Sequence, residues 1–189
     1  MPYANKLKSL NNGRGIGQAW RVSSAELGPI SAASVHEWAF KLAKAAELDV
    51  PAMWILDFDP LVEAKTGMGA NIPESILAWH GDTAALNEKF AEFPLSWEVA
   101  NGVSPDAHGE TPLLWTRGLK PDGTWDKDKG VFGDRGGHIV FADMSVRWFK
   151  SLRDDENPGG VLKKYGTREP TCNIYEAVPG GEKSVLKGD

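Results

Sequence analysis

Three glycines, Gly13, Gly15 and Gly17, interrupt an otherwise helical stretch over residues 6–26. Each costs about 1 kcal/mol relative to alanine in a helix interior, so this helix persists only where tertiary packing holds it. Leu7, Leu10, Arg14, Ala19, Trp20 and Val22 are loosely periodic along it. The run Gly13-Arg14-Gly15-Ile16-Gly17 has neither the preceding strand nor the spacing of a dinucleotide-binding fingerprint. The expectation is close packing of the helix on a surface that the rest of the chain supplies.

That surface has to be a hydrophobic core without covalent help. The single cysteine, Cys172, can neither close an internal disulfide nor supply a cluster of zinc-binding thiolates. At 189 residues the chain fits one domain, and 41% hydrophobic with 25% charged residues is an ordinary globular balance. Lys and Arg total 21 against 26 Asp and Glu, and a net charge of −5 offers no footprint for nucleic-acid phosphates. Apolar runs such as residues 52–56 fall far below the roughly 18 residues of a membrane span, and residues 1–6 carry no apolar signal-peptide core. The chain as written is expected to be soluble.

A second helix is marked by its cap. Ser34 followed by Glu37 forms a capping-box pattern, and Val35, Trp38, Ala39, Leu42 and Ala46 share one face. Pro51 ends that helix, and residues 52–57 read as a short strand. Residues 59–89 read as a long irregular loop broken by Pro60, Gly67, Gly69, Pro73 and Gly81, with a short strand at residues 76–79. Residues 96–103 and 112–116 read as strands, and Pro121-Asp122-Gly123 as a tight turn. Residues 136–149 read as a hairpin bent at Asp143-Met144, with His138, Val140 and Ala142 on one side and Ile139 and Phe141 on the other. Both sides are apolar, which predicts a helix on one and a loop or tail on the other. Residues 154–189 form a Gly- and Pro-rich tail anchored by Ile174, Tyr175 and Val178.

Three blocks carry a family resemblance. They are residues 10–20; residues 111–119 with Asp122-Gly123-Thr124-Trp125; and residues 136–143 with Ser145-Val146-Arg147-Trp148. On them the chain resembles the pilin-like proteins of the prepilin, or H-X9-DG, type, relatives of type II secretion pseudopilins. The family-motif positions are Trp115, Arg117, Gly118, Gly136, Gly137, His138 and Asp143. The family's His and the Gly after its Asp fall on Gly133 and Met144 here, so the hairpin turn has to be made differently. The resemblance implies an α+β, pilin-like fold: residues 1–27 as the remainder of a truncated N-terminal helix, 28–153 as a head with a second short helix and an antiparallel sheet, and 154–189 as the tail. It also implies a cleaved and methylated precursor held in the inner membrane by an apolar segment ahead of Met1, with the head periplasmic or at the cell surface. The partners implied are other pilin-like subunits and secretion or pilus assembly proteins. The function implied is a non-enzymatic filament subunit, without cofactor.

Site chemistry is sparse beside this. His36, His80, His108 and His138 show no metal-ligand spacing, and His138 reads as a structural hydrogen-bonding group. Asp122, Asp126 and Asp128 surround Gly123, and some secretion pseudopilins hold calcium in a head-domain loop. These three are the candidate calcium ligands, opposed by Lys127 and Lys129, and a solvated turn is the preferred reading. No G-x-S-x-G elbow occurs, and Cys172 has no neighbouring base motif. Eight tryptophans, at 20, 38, 54, 79, 97, 115, 125 and 148, are the most unusual feature. Those in helices and strands are expected to fill the core, while Trp125, in a polar loop, is expected in solvent. Exposed rings in a coplanar row would mark an alternative, a carbohydrate-binding or adhesive surface module.

Overall fold

The computed structural model describes residues 3–154, 156 and 159–189. In chain order it forms α1 (Tyr3–Leu27), α2 (Val35–Ala46), α3 (Pro60–Gly67), β1 (Leu77–His80), β2 (Thr83–Leu86), α4 (Glu88–Ala91), β3 (Trp97–Ala100) and β4 (Pro112–Thr116). Then follow β5 (Gly137–Phe141), β6 (Val146–Phe149), β7 (Leu162–Lys163), β8 (Pro170–Thr171) and β9 (Val185–Leu186). The class is α+β: a long N-terminal helix, shorter helices and antiparallel sheets.

Gly13 and Gly17 are where α1 meets the sheet, while Gly15 faces Met53 of the turn after α2. The buried side of α1 is Ser9, Gly13, Ile16, Gly17, Ala19, Trp20, Ser23 and Ser24, mostly small residues; of the expected periodic set Ala19 and Trp20 are buried, whereas Leu7 and Val22 are exposed. A β-carbon on Gly13 would come within 2.9 Å of Val140 Cγ2 and 3.0 Å of the Trp97 ring, and one on Gly17 within 3.1 Å of Val140 Cγ1. A stripe poor in large apolar residues lets backbone approach side chains closely, so the helix is held by proximity rather than by a strong amphipathic pattern.

The second helix starts as its cap predicts. Ser34 Oγ accepts from the Glu37 N–H at 3.1 Å. Glu37 returns its carboxylate to the Ala33 N–H at 2.8 Å, one residue ahead of the usual partner. Residues 52–57 do not form the expected strand. Pro51–Met53 is a 3-10 turn, and Trp54, Ile55 and Leu56 are buried in a loop whose backbone finds other partners: Leu56 N–H donates to Ser96 Oγ and Ser96 N–H to Trp54 O. Residues 59–89 are not one loop either. Asp59 caps α3 by accepting from the Leu61 N–H at 3.0 Å with Pro60 at the first helical position, and β1–β2 is a hairpin.

The main sheet has strand order β6-β5-β4-β3-β9, antiparallel throughout. Trp97, Thr116, His138 and Val140 share the face under α1, and Glu98, Trp115 and Ile139 the other. The tail does more than the three expected anchors indicate. Leu162, Ile174, Ala177 and Val178 are buried in the same core cluster as α1 and the sheet, and β9 adds a strand to the β3 edge.

Candidate functional site

The motif positions of the sequence come together because β4 and β5 are neighbours. The Thr116 hydroxyl accepts from the His138 backbone N–H at 3.2 Å, and Trp115 faces Ile139 in register. A β-carbon on Gly137 would strike Thr116 and Trp125, and one on Gly136 or Gly118, both at positive φ, would strike the backbone of Phe149 or Gly130. These glycines are there for close approach. Asp143 lies apart, exposed at the hairpin tip, where its carboxylate accepts from the Ser145 N–H at 2.9 Å.

His138 is buried on the α1 face. Its Nδ1 lies 3.0 Å from Ser9 Oγ, with Phe132 and Trp148 edge-on to the ring. Burial, and then the nearby Lys6 ammonium, push its pKa down to about 4, so the ring is neutral near pH 7. A structural hydrogen bond is the role the geometry displays. His36 donates from Nε2 to Phe93 O at 2.9 Å with its pKa lowered by burial, and His108 Nδ1 accepts from the Glu110 N–H.

Arg117 is almost fully buried. Its guanidinium donates to Asp59 Oδ1 at 2.6 Å, to Leu95 O at 2.8 Å and, through Nε, to Lys129 O at 3.0 Å. Asp59 Oδ2 accepts from Ser96 Oγ at 2.7 Å, so each charge has several partners. The sequence singled out Arg117 but not Asp59, although an Asp-Pro pair at a helix start is a legible cap.

On the opposite face, Glu98 accepts from Trp115 Nε1–H at 2.6 Å and pairs with Lys187 Nζ at 3.3 Å, while Lys187 donates to Tyr175 Oη at 2.7 Å. Burial pushes the Glu98 carboxyl above its ordinary range, against the pull of Lys187 and Trp115. Burial also opposes the Lys187 ammonium, but Glu98 and Tyr175 outweigh it and hold its pKa above the usual lysine value. Glu98, Tyr175 and Lys187 line a cavity of about 300 Å³, and their contacts clasp the tail onto the sheet.

The candidate calcium ligands are not assembled. Asp122 is occupied by the Thr124 N–H and hydroxyl and by Arg153, and Asp126 by the backbone N–H groups of Asp128 and Lys129. Among the described residues no group of three or more His, Cys, Asp or Glu could hold a metal ion. Trp125 also departs from expectation. It is 3% exposed, packed over Gly137, because its loop folds back through the Leu119–Trp125 bridge. The exposed tryptophan is Trp79, and no coplanar row of rings forms among the described residues.

No family model, no curated protein and no solved structure matches the chain. Among the described residues no helix is long and apolar enough to cross a membrane.

Proposed function

We propose that the chain is the head region of a pilin-like subunit of a type II secretion or type IV pilus-like filament, with no enzymatic role. The observation that carries this reading is α1 itself: one stripe of small residues lies on the antiparallel sheet, while Tyr3, Leu7 and Val22 remain in solvent. α1 is held by the sheet and by α2, and the side that carries Tyr3, Leu7 and Val22 is left to meet neighbouring subunits, where repeated head-to-tail contacts extend rather than close. In this reading α1 continues upstream into an apolar segment that anchors the precursor in the inner membrane, and the head faces the periplasm or the cell surface.

A second feature supports the family assignment. Met144 has φ 67° at the hairpin tip, the position at which the family places glycine after aspartate. The backbone conformation that favours glycine is kept although the residue differs.

The test is the reading frame ahead of Met1 together with fractionation of the native cells. A basic leader followed by about 20 apolar residues is expected, with the protein in membrane and sheared-filament fractions. Polar sequence upstream, or a protein absent from both fractions, overturns the proposal.

A further inference from the structure

Trp79 stands 61% exposed on β1, on the same strand face as the buried Leu77. The β1–β2 hairpin packs on α2, and between this face and the end of α2 opens a cavity of about 310 Å³. It is lined by Ala43, Lys44, Glu47, Asp49, Leu77 and Trp79. Its walls are thus an indole, two aliphatic side chains, two carboxylates and an ammonium.

The polar groups differ in their commitments. Asp49 is fixed in place: Oδ1 accepts from the Ile76 and Leu77 N–H groups at 2.5 and 2.9 Å, and Oδ2 from Ser75 Oγ at 2.6 Å. A carboxylate has about four lone-pair positions, so Oδ2 keeps capacity for another donor. Glu47 ends α2 at φ 56°, where glycine is the usual residue, yet carries a carboxylate beside the cavity. Among the described residues neither Glu47 nor Lys44 forms an ion pair.

We propose that this cup is a subsite for one neutral pyranose ring of a glycan. A pyranose has an apolar C–H face, which stacks on the Trp79 indole, and hydroxyls around its edge, which Asp49 and Glu47 accept from and Lys44 donates to. The cavity is at the small end of ligand pockets, the scale of a single sugar rather than a long chain. An apolar protein segment seated here would strip water from Glu47 and Lys44, neither of which has an ion-pair partner among the described residues to replace it. An anionic group would face two carboxylates. The inference is independent of the filament reading, since it rests on the hairpin and not on α1.

The test uses the full chain and, as probes, the methyl glycosides of glucose, galactose, mannose and N-acetylglucosamine with the hexasaccharides of cellulose and chitin. Heteronuclear NMR follows the Trp79 indole N–H, assigned by its loss in Trp79→Phe. At least one probe is expected to shift that resonance saturably together with the Lys44 and Glu47 amides. Trp79→Ala is expected to weaken binding at least tenfold by calorimetry and Glu47→Gln severalfold, with the remaining indole resonances of both variants unmoved as evidence of folding. The proposal is overturned if no probe moves the Trp79 resonance, or if Trp79→Ala binds as the parent does. It is overturned equally if sedimentation shows self-association that Trp79→Ala abolishes and no sugar affects, since the ring is then an interface between copies.

Discussion

The Ser9 hydroxyl on α1 lies 3.0 Å from Nδ1 of His138 on β5, a hydrogen bond between buried groups 129 positions apart in the chain. It ties the start of the helix to the strand next to the β6 edge of the sheet, and Lys6, one turn earlier, sits 3.7 Å above the centre of the Trp148 ring that flanks the same histidine. The N-terminal turns of α1 are therefore latched by polar contacts, while Gly13 and Gly17 hold its centre by proximity.

This latch makes stability sensitive to acid. The folded pKa of His138, about 4, lies below the ordinary value of 6.5, so the folded state excludes a proton that the unfolded chain accepts. The stabilisation is complete above about pH 6.5 and is lost as pH falls through about 4, with a full difference of about 3 kcal/mol. Glu98 acts in the opposite sense, since a carboxyl raised by burial favours the fold at low pH and loses that advantage as pH rises. Urea midpoints between pH 8 and 4 should fall steeply for the parent and less for His138→Gln; parallel curves would remove the histidine from the account.

The glycines of α1 should respond unequally to alanine. In Gly13→Ala the new methyl meets Val140 and the buried Trp97 ring, neither of which can withdraw, so the clash exceeds the propensity gain and the protein is destabilised by about 1–3 kcal/mol. In Gly15→Ala the only obstacle is the terminal methyl of Met53, a flexible side chain, so the helix keeps up to about 1 kcal/mol of gain. Thermal unfolding of the two variants should shift in opposite directions.

The buried Arg117–Asp59 pair is predicted to be costly to break from one side. Asp59→Ala leaves a guanidinium that is almost fully buried without its carboxylate, and a loss of about 3–5 kcal/mol is expected. Replacing both, as Asp59→Leu with Arg117→Met, should recover a large part of that loss, because no buried charge remains. A double variant as unstable as the single one in chemical denaturation would show that the hydrogen bonds to Leu95 and Lys129 matter more than the ion pair.

At the hairpin tip, Met144→Gly relieves a left-handed residue of its side-chain strain and should stabilise the protein by up to about 1 kcal/mol. Calorimetric midpoints of the parent and the variant decide it, and a lower midpoint would mean that the Met144 side chain contributes more by packing near Gly17 than its backbone costs.

Local chemistry accounts for much of this fold without reference to any long-range contact. The Ser34 cap with the apolar face of α2, the Pro121-Asp122-Gly123 turn and the alternation in the 136–149 hairpin all act within a few residues, and each is found where the residues place it. The weak propensity of α1 was equally legible, and with it the need for a packing surface. Which face of α1 is buried was not legible, because Ile16 and Trp20 are the only large apolar residues in a stripe otherwise made of Gly, Ser and Ala, which carries little hydrophobic signal. Asp59 finding Arg117 58 positions away, the tail returning β9 to the sheet edge, and Trp125 folding inward while Trp79 stays in solvent were settled by tertiary structure alone. Caps, turns and periodicity are properties of neighbouring residues, whereas a buried ion pair or a covered ring depends on which distant segment supplies the missing partner.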